Sequence, residues 1–517
     1  MLTRIFCGAT IGLILGYISG YNLSYSGALI KIVILSILIS LFFIKKSKND
    51  QTLRFFLLFT ISFSICFIFG SIRTKIIKDN FVYVKESAVL DVKIKDIKIK
   101  DNTKIFTGEI VNDEKYKNKN IAIYSFTQEK VYPDDILSIQ GSIVNDFVIL
   151  PKKEEGLSDV KSFNLSDHFR SRGVEYISMY PKIQRGTTSK DVSHSAYYYS
   201  YIFREKFYLG LEKVMNNENA GIVMAMLWGD DSHISKDLNR KYQDAGVSHI
   251  LVLSGYNLVI VAALAGTIFS RLSFRKKIIA SIVFVLAFLM LANTSSPVWR
   301  AALMSSFVFM SMYALRPINS RFAIWFTGFA FCLYSPYTAM YDVSFHMSFL
   351  ATLSIIYFYQ NIRDFLTQIF YVKDKKSFYK NIFDAIAVTL AANILIAPYI
   401  IYQFGYFKIW GVLVSVIVSP LVPVIMFFGF LSGSIASVSY IIAKPFAAVS
   451  DMCVGLMSLI VDLFYDTKPL YAHRISLFVL IVSYLIMYLF FVLFNMYLKI
   501  RQGSNNNIYS GHDKIKL

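Results

Sequence analysis

The chain has 517 residues, 55% of them hydrophobic and 16% aromatic, with a mean hydropathy of +0.50. This excludes a soluble globular enzyme and predicts a polytopic α-helical membrane protein. The formal net charge of +19 fits an anionic partner or the Lys/Arg excess of cytoplasmic loops, and loop topology accounts for most of it.

An apolar run from Arg4 to Gly20 opens the chain. It lacks a small-residue cleavage site and is read as a retained first span. Two more spans are expected at 29–44 and 55–71, completing an N-terminal membrane region over 1–80. The loop between them carries Lys45, Lys46, Lys48 and Arg54, which places it and the N-terminus in the cytoplasm. The segment after the third span is then extracytoplasmic.

Residues 84–182 read as a soluble insert: six short alternating apolar runs, at 92–94, 97–99, 105–111, 121–126, 136–144 and 174–179, separated by turn-rich pieces, with a short helix that Gly173 closes between the last two. About five strands and one helix fit a small OB-like β-barrel, a fold used to hold single-stranded nucleic acid. Sixteen basic and sixteen acidic residues leave the insert neutral. DNA contact there would need a local patch with aromatics such as Phe106, Tyr116, Tyr124 or Phe126, and barrel core is the competing role for those rings.

A second membrane domain is expected over 195–500, opening with an aromatic and basic helix suited to the membrane interface and ending in a basic cytoplasmic tail, 501–517. Its first full span is placed at 247–268, and later ones at 382–403, 409–431, 434–463 and 476–498. Basic loops alternate with nearly uncharged ones, giving about twelve spans with both termini inside. Pro398, Pro420, Pro423 and Pro445 interrupt the last third, as broken transporter helices or packing kinks. The four cysteines, Cys7, Cys66, Cys332 and Cys453, all sit in apolar runs, without disulfide or zinc-ligand spacing.

Between 217 and 302 polar residues interrupt apolar helix: Asp230, His233, His249, Ser254, Asn257, Asn293 and Arg300. Polar groups at membrane depth face a bundle interior or a wet pathway, so as a group they predict a conduit; the alternative is helix capping and helix–helix bonding. Arg300 is the phosphate-contact candidate, or else the partner of Asp230, Asp231 or Asp342. On one ideal helix His249 and Ser254 would lie about 140° apart, which disfavours a nucleophilic pair. Asp230 and Asp231 precede a helix starting near Ser235 and could cap it. Asp342 and His346 could form a buried polar pair, and two ligands make no metal site. No catalytic residue, metal or cofactor is expected, and no GxxxxGK[ST] loop occurs.

Several segments carry a family resemblance: LWGDDSHIS at 227–235, YQDAGVSHILVLSGYNL at 242–258 and SPVWRAALMS at 296–305. Further pieces are YSPYTAMYDVSFHMSFLATLSI at 334–355, APYIIYQFGYFKIWGVLVSVIVSPLVPV at 397–424, and, in the insert, VYPDDILSIQGSIV and SFNLSDHFRSRGVEYISMYPKI. Together they resemble the ComEC-type competence proteins, inner-membrane channels that import transforming DNA. The resemblance implies a channel for single-stranded DNA, served by a separate nuclease, an extracytoplasmic DNA receptor and a cytoplasmic helicase-like ATPase. Asn257 stands where the family usually has a histidine. The family's His-rich metallo-β-lactamase-like nuclease signature has no counterpart in this sequence, so the chain is expected not to cleave DNA itself. A secondary transporter for a small or polymeric anion, and an intramembrane hydrolase using Ser254, remain as rival readings.

Overall fold

The computed structural model describes residues 2–22, 51–79, 83–146 without 101–102 and 128, 148–149, 163–185, 195–292, 296–315, 319–369, 378–467, 470–471 and 475–490 without 488. The expected span at 29–44, Asn293 and the basic tail lie outside them.

Helices α1 (Leu2–Asn22) and α2 (Gln51–Asp79) run in the same direction, backbone against backbone. Gly8, Gly12 and Gly16 make this possible, since small residues at four-residue spacing let membrane helices approach closely. A Cβ at Gly12 would sit 2.2 Å from the Phe63 carbonyl oxygen. The pair is tied to α10 (Ser320–Tyr334) by Thr10 Oγ1 on the Trp325 carbonyl at 2.9 Å and Tyr17 OH on that of Cys332 at 2.8 Å.

The insert comprises β1 (Lys85–Lys100), β2 (Thr103–Ile110), β3 (Asn120–Ser125), β4 (Ile136–Val144), a short pair β5 (Val148–Ile149) and β6 (Phe163–Asn164), α3 (Leu165–Arg170), β7 (Tyr176–Met179) and β8 (Lys182–Arg185). The long β1 pairs with β4 through its first half and β2 through its second, and β3 runs parallel to β7, which adjoins β4. The order β1-β2-β3-β7-β4-β1 therefore closes on itself. Period-2 alternation puts Leu90, Val92, Ile94, Phe106, Ile121, Ile123, Leu137 and Ile139 in one interior.

After α4 (Ala196–Glu212), the almost wholly buried α5 (Asn217–Trp228) forms the centre of the helical core and stops at Gly229, whose φ is 69°. Then come α6 (Lys236–Asp244), a 3₁₀ turn (Ser248–Leu251), α7 (Gly255–Ile268), α8 (Phe274–Leu291), α9 (Ser296–Ala314) and α10. The chain continues through α11 (Pro336–Tyr341), α12 (Val343–Ile369), α13 (Phe378–Phe404), β9 (Tyr406–Phe407), α14 (Ile409–Val418), α15 (Leu421–Ala436), α16 (Tyr440–Phe464) and β10 (Leu470–Tyr471), and then a short apolar helix, α17 (Leu477–Met487). The aromatic helix α4 buries one face, with Arg204 donating to the Leu291 carbonyl at the end of α8 at 3.0 Å.

Two expected spans are broken and a third starts late. That at 247–268 splits into the 3₁₀ turn and α7, because Val252 is extended and Ser254 starts a new helix as its N-cap. That at 409–431 bends by 52° between α14 and α15, where Pro420 has no N–H to continue the ladder. That at 434–463 begins only at Tyr440. Among the described residues, Phe383–Phe404 and Tyr440–Phe464 are each long and apolar enough to cross a membrane, and the bent pair makes a third.

A candidate nucleic-acid vestibule

A cavity of about 2360 Å³ lies between the insert and the helices. Two hydrogen bonds hold its sides together. The buried Asp134 carboxylate accepts the Ser195 N–H at 2.7 Å, and the Thr338 hydroxyl donates to the Ser171 carbonyl at 3.0 Å. Burial works to raise the Asp134 carboxyl, but the Ser195 N–H and Lys93, 3.2 Å away, hold it below the usual carboxylate value.

Eight lysines and arginines line the cavity against five carboxylates. Lys115 pairs with Glu86 at 2.9 Å and Lys119 with Glu175 at 2.6 Å. Lys98 and Arg172 are in no ion pair among the described residues. Burial, and then the neighbouring Arg172 charge, lower the Lys98 ammonium from the ordinary lysine value. Arg73 donates to the carbonyls of Leu333 and Tyr334, closing the C-terminal end of α10.

Of the residues expected to form a conduit, Asp342 lines this cavity, its carboxylate accepting the N–H groups of Ser344 and Phe345 at the start of α12. Asp230 lies next to the lining residues Gly229 and Asp231 and accepts both the N–H and the hydroxyl of Ser232. Ser235, not an aspartate, caps α6, because its Oγ reaches the Leu238 N–H at 3.2 Å. His249 projects from the 3₁₀ turn and Ser254 caps α7, so the two share no helix and the ideal-helix angle between them does not apply.

The other polar groups stitch helices. Ser254 donates to Asn257 Oδ1 at 3.1 Å, and Asn257 Nδ2 donates to the Met226 carbonyl at 2.8 Å. Arg300, 6% exposed, gives Nη1 to Thr352 Oγ1 at 2.7 Å and Nη2 to Ser348 Oγ at 2.6 Å. It makes no ion pair with Asp230, Asp231 or Asp342. A Cβ at Gly255 would lie 3.4 Å from Arg300 Nη2 and 3.1 Å from Ala301 Cβ, so the motifs at 242–258 and 296–305 meet in space. Both ring nitrogens of His346 are engaged, by Tyr399 OH and the Ala339 carbonyl, each at 2.7 Å, and its ring does not pair with the Asp342 carboxylate.

In the insert, Phe106 is core. Tyr116, bonded to Glu86, and Tyr124 line the cavity. Phe126 is exposed and stacks face to face on Tyr180, ring centroids 4.5 Å apart, away from the cavity lining. Sequence reasoning passed over Lys98, Arg172, Trp299 and Tyr334, which also line the cavity. The available signal was that Trp299 and Tyr334 stand inside the motifs at 296–305 and 334–355. No group of three His, Cys, Asp or Glu among the described residues could hold a metal ion.

Comparison with known proteins adds the family. The chain is 26% identical to ComE operon protein 3 of Bacillus subtilis (strain 168) over 208 residues, 39% of this chain and 25% of that protein. It is 28% identical to an uncharacterized protein of Aquifex aeolicus (strain VF5) over 222 residues, 43% of this chain and 49% of the other. The aligned parts thus span a quarter and about half of those relatives. No solved structure matches. The family model described as "Competence protein" matches residues 226–497, more than half the chain and the stretch in which Gly255 meets Arg300, and the chain therefore belongs to the competence protein family.

Proposed function

We propose that the chain is a multi-pass protein of the bacterial cytoplasmic membrane that passes single-stranded DNA inward during natural transformation, with the cavity as its outer vestibule. One observation carries the reading: a large cavity with a basic excess and aromatic walls, set between a closed sheet and apolar helices. A flexible polyanion needs such a combination of cations and stacking surfaces. The insert, 84–182, is an OB-type barrel on the outer face, and its parallel β3–β7 pairing within a closed order supports that assignment. The parallel α1 and α2 fit a first and a third span, and the alternation of basic loops supports about twelve spans with both termini inside. The chain acts as a conduit, not an enzyme; an extracytoplasmic DNA receptor, a separate nuclease and a helicase-like ATPase supply capture, strand removal and driving force.

The test is the double substitution Lys98→Ala/Arg172→Ala. Uptake of labelled DNA should fall at least about tenfold with membrane insertion intact, and the slope of log affinity for single strands against log salt should shrink by about 1.4, for two lost phosphate contacts. Unchanged uptake and an unchanged slope reject the vestibule. The 52° break between α14 and α15 favours a second reading, an anion transporter; DNA-independent solute flux in liposomes would select it.

A further inference from the structure

The two walls of the cavity differ in charge, while rings line both, Tyr116 and Tyr124 among those on the sheet side. The sheet side contributes six cations, among them Lys98 and Arg172, and three carboxylates; the helical side contributes two of each. Arg73, one of the two helical cations, is already engaged by the carbonyls of Leu333 and Tyr334. The surface that the helical side presents is apolar and aromatic: Val252, Trp299, Leu303 and Tyr334. Trp299 is 52% exposed although its neighbours Val298 and Arg300 are 0% and 6% exposed, and Tyr334 is 86% exposed. Neither ring stacks on another ring among the described residues. The backbone next to each ring is anchored: Arg300, adjacent to Trp299, is buried and bonded to Thr352, and the Tyr334 carbonyl accepts from Arg73.

We propose that single-stranded nucleic acid lies in this cavity with its phosphates toward the insert and its bases toward the helices, stacked on Trp299 and Tyr334. The inference rests on the vestibule reading and adds an orientation and two base-contacting residues. The argument is charge complementarity. A phosphodiester backbone is favoured on the wall with surplus cations, and flat apolar bases cover aromatic surface that water otherwise wets. The reverse orientation would set phosphates against a wall with no surplus cation.

The chain's four tryptophans make this measurable, because Trp228 and Trp325 are buried while Trp299 and Trp410 are exposed. In the full-length Trp410→Phe protein in nanodiscs, a single-stranded oligonucleotide should quench the remaining exposed fluorescence. It should also bind at least about fivefold tighter than an abasic strand of equal length. Trp299→Ala should weaken the base-bearing strand about threefold, part of the way to the abasic level because Tyr334 still stacks, while Trp299→Phe keeps most of the affinity. Equal affinity for the two strands, with no effect of Trp299→Ala, would overturn the orientation and leave the vestibule reading standing. Binding of neither strand would remove both. Quenching of Trp299 by brominated acyl chains without DNA would overturn the proposal in favour of a lipid-covered wall.

Discussion

Asn257 shows how a buried polar side chain acts at the heart of this protein. Its amide nitrogen reaches the Met226 carbonyl and its amide oxygen accepts from Ser254, joining α7 to the end of α5. Asn257→Leu should leave the Met226 carbonyl unpaired and the Ser254 hydroxyl with its capping bond but no acceptor, at a cost on the order of 1–3 kcal/mol. Asn257→His offers one ring donor and one acceptor and should recover most of that loss; unfolding in detergent measures both. Arg300 behaves alike, its fork closed by Ser348 and Thr352 rather than by an acid. The sequence made these residues legible as polar groups in apolar surroundings but hid their partners. Backbone carbonyls and distant hydroxyls leave no mark on a charge pattern, so charge alone points Arg300 toward an acid that it does not use.

Among the elements, the strands were the most readable. Period-2 alternation and turn residues locate β2 to β4, α3 and the Gly173 turn to within a few residues, but show the long β1 only as two short runs from Val92, seven residues after its start at Lys85. Helix breaks inside apolar runs were not legible, since SHILVLSG stays apolar across the point where Val252 turns extended. Proline at 420 marked a possible interruption but not its 52° angle. The α1–α2 pair offers a direct test of close packing. At Gly12 an added Cβ meets backbone, which cannot swing aside as a side chain would. Gly12→Val should therefore separate the helices and strongly reduce the yield of folded protein in membranes, whereas Leu15→Val, at an exposed position of the same helix, should not. Equal yields would mean that the two backbones do not touch.

Across the whole molecule, the cavity is a product of tertiary structure and could not be read locally: its walls come from segments more than two hundred residues apart. The struts Asp134–Ser195 and Ser171–Thr338 hold those walls together, and the first titrates. A carboxyl held below its unfolded value of 3.8 stabilises the attachment fully above that pH and loses the contribution as pH falls through the lowered folded value. Hydrogen exchange at the start of α4, taken relative to the intrinsic rate at each pH, should therefore accelerate below about pH 4 in the native protein. In Asp134→Asn it should be faster at neutral pH and nearly flat with acid. An equally steep acid response in both proteins would place the sensitive group elsewhere. The closed strand order has its own consequence. On the proposed vestibule reading the insert, which has an interior of its own, supplies only one of the two walls that hold the strand. Two weak grips joined on one frame multiply, because the second engages at high local concentration. The affinity of the insert's wall alone would thus understate that of the intact protein by a factor set by the other wall.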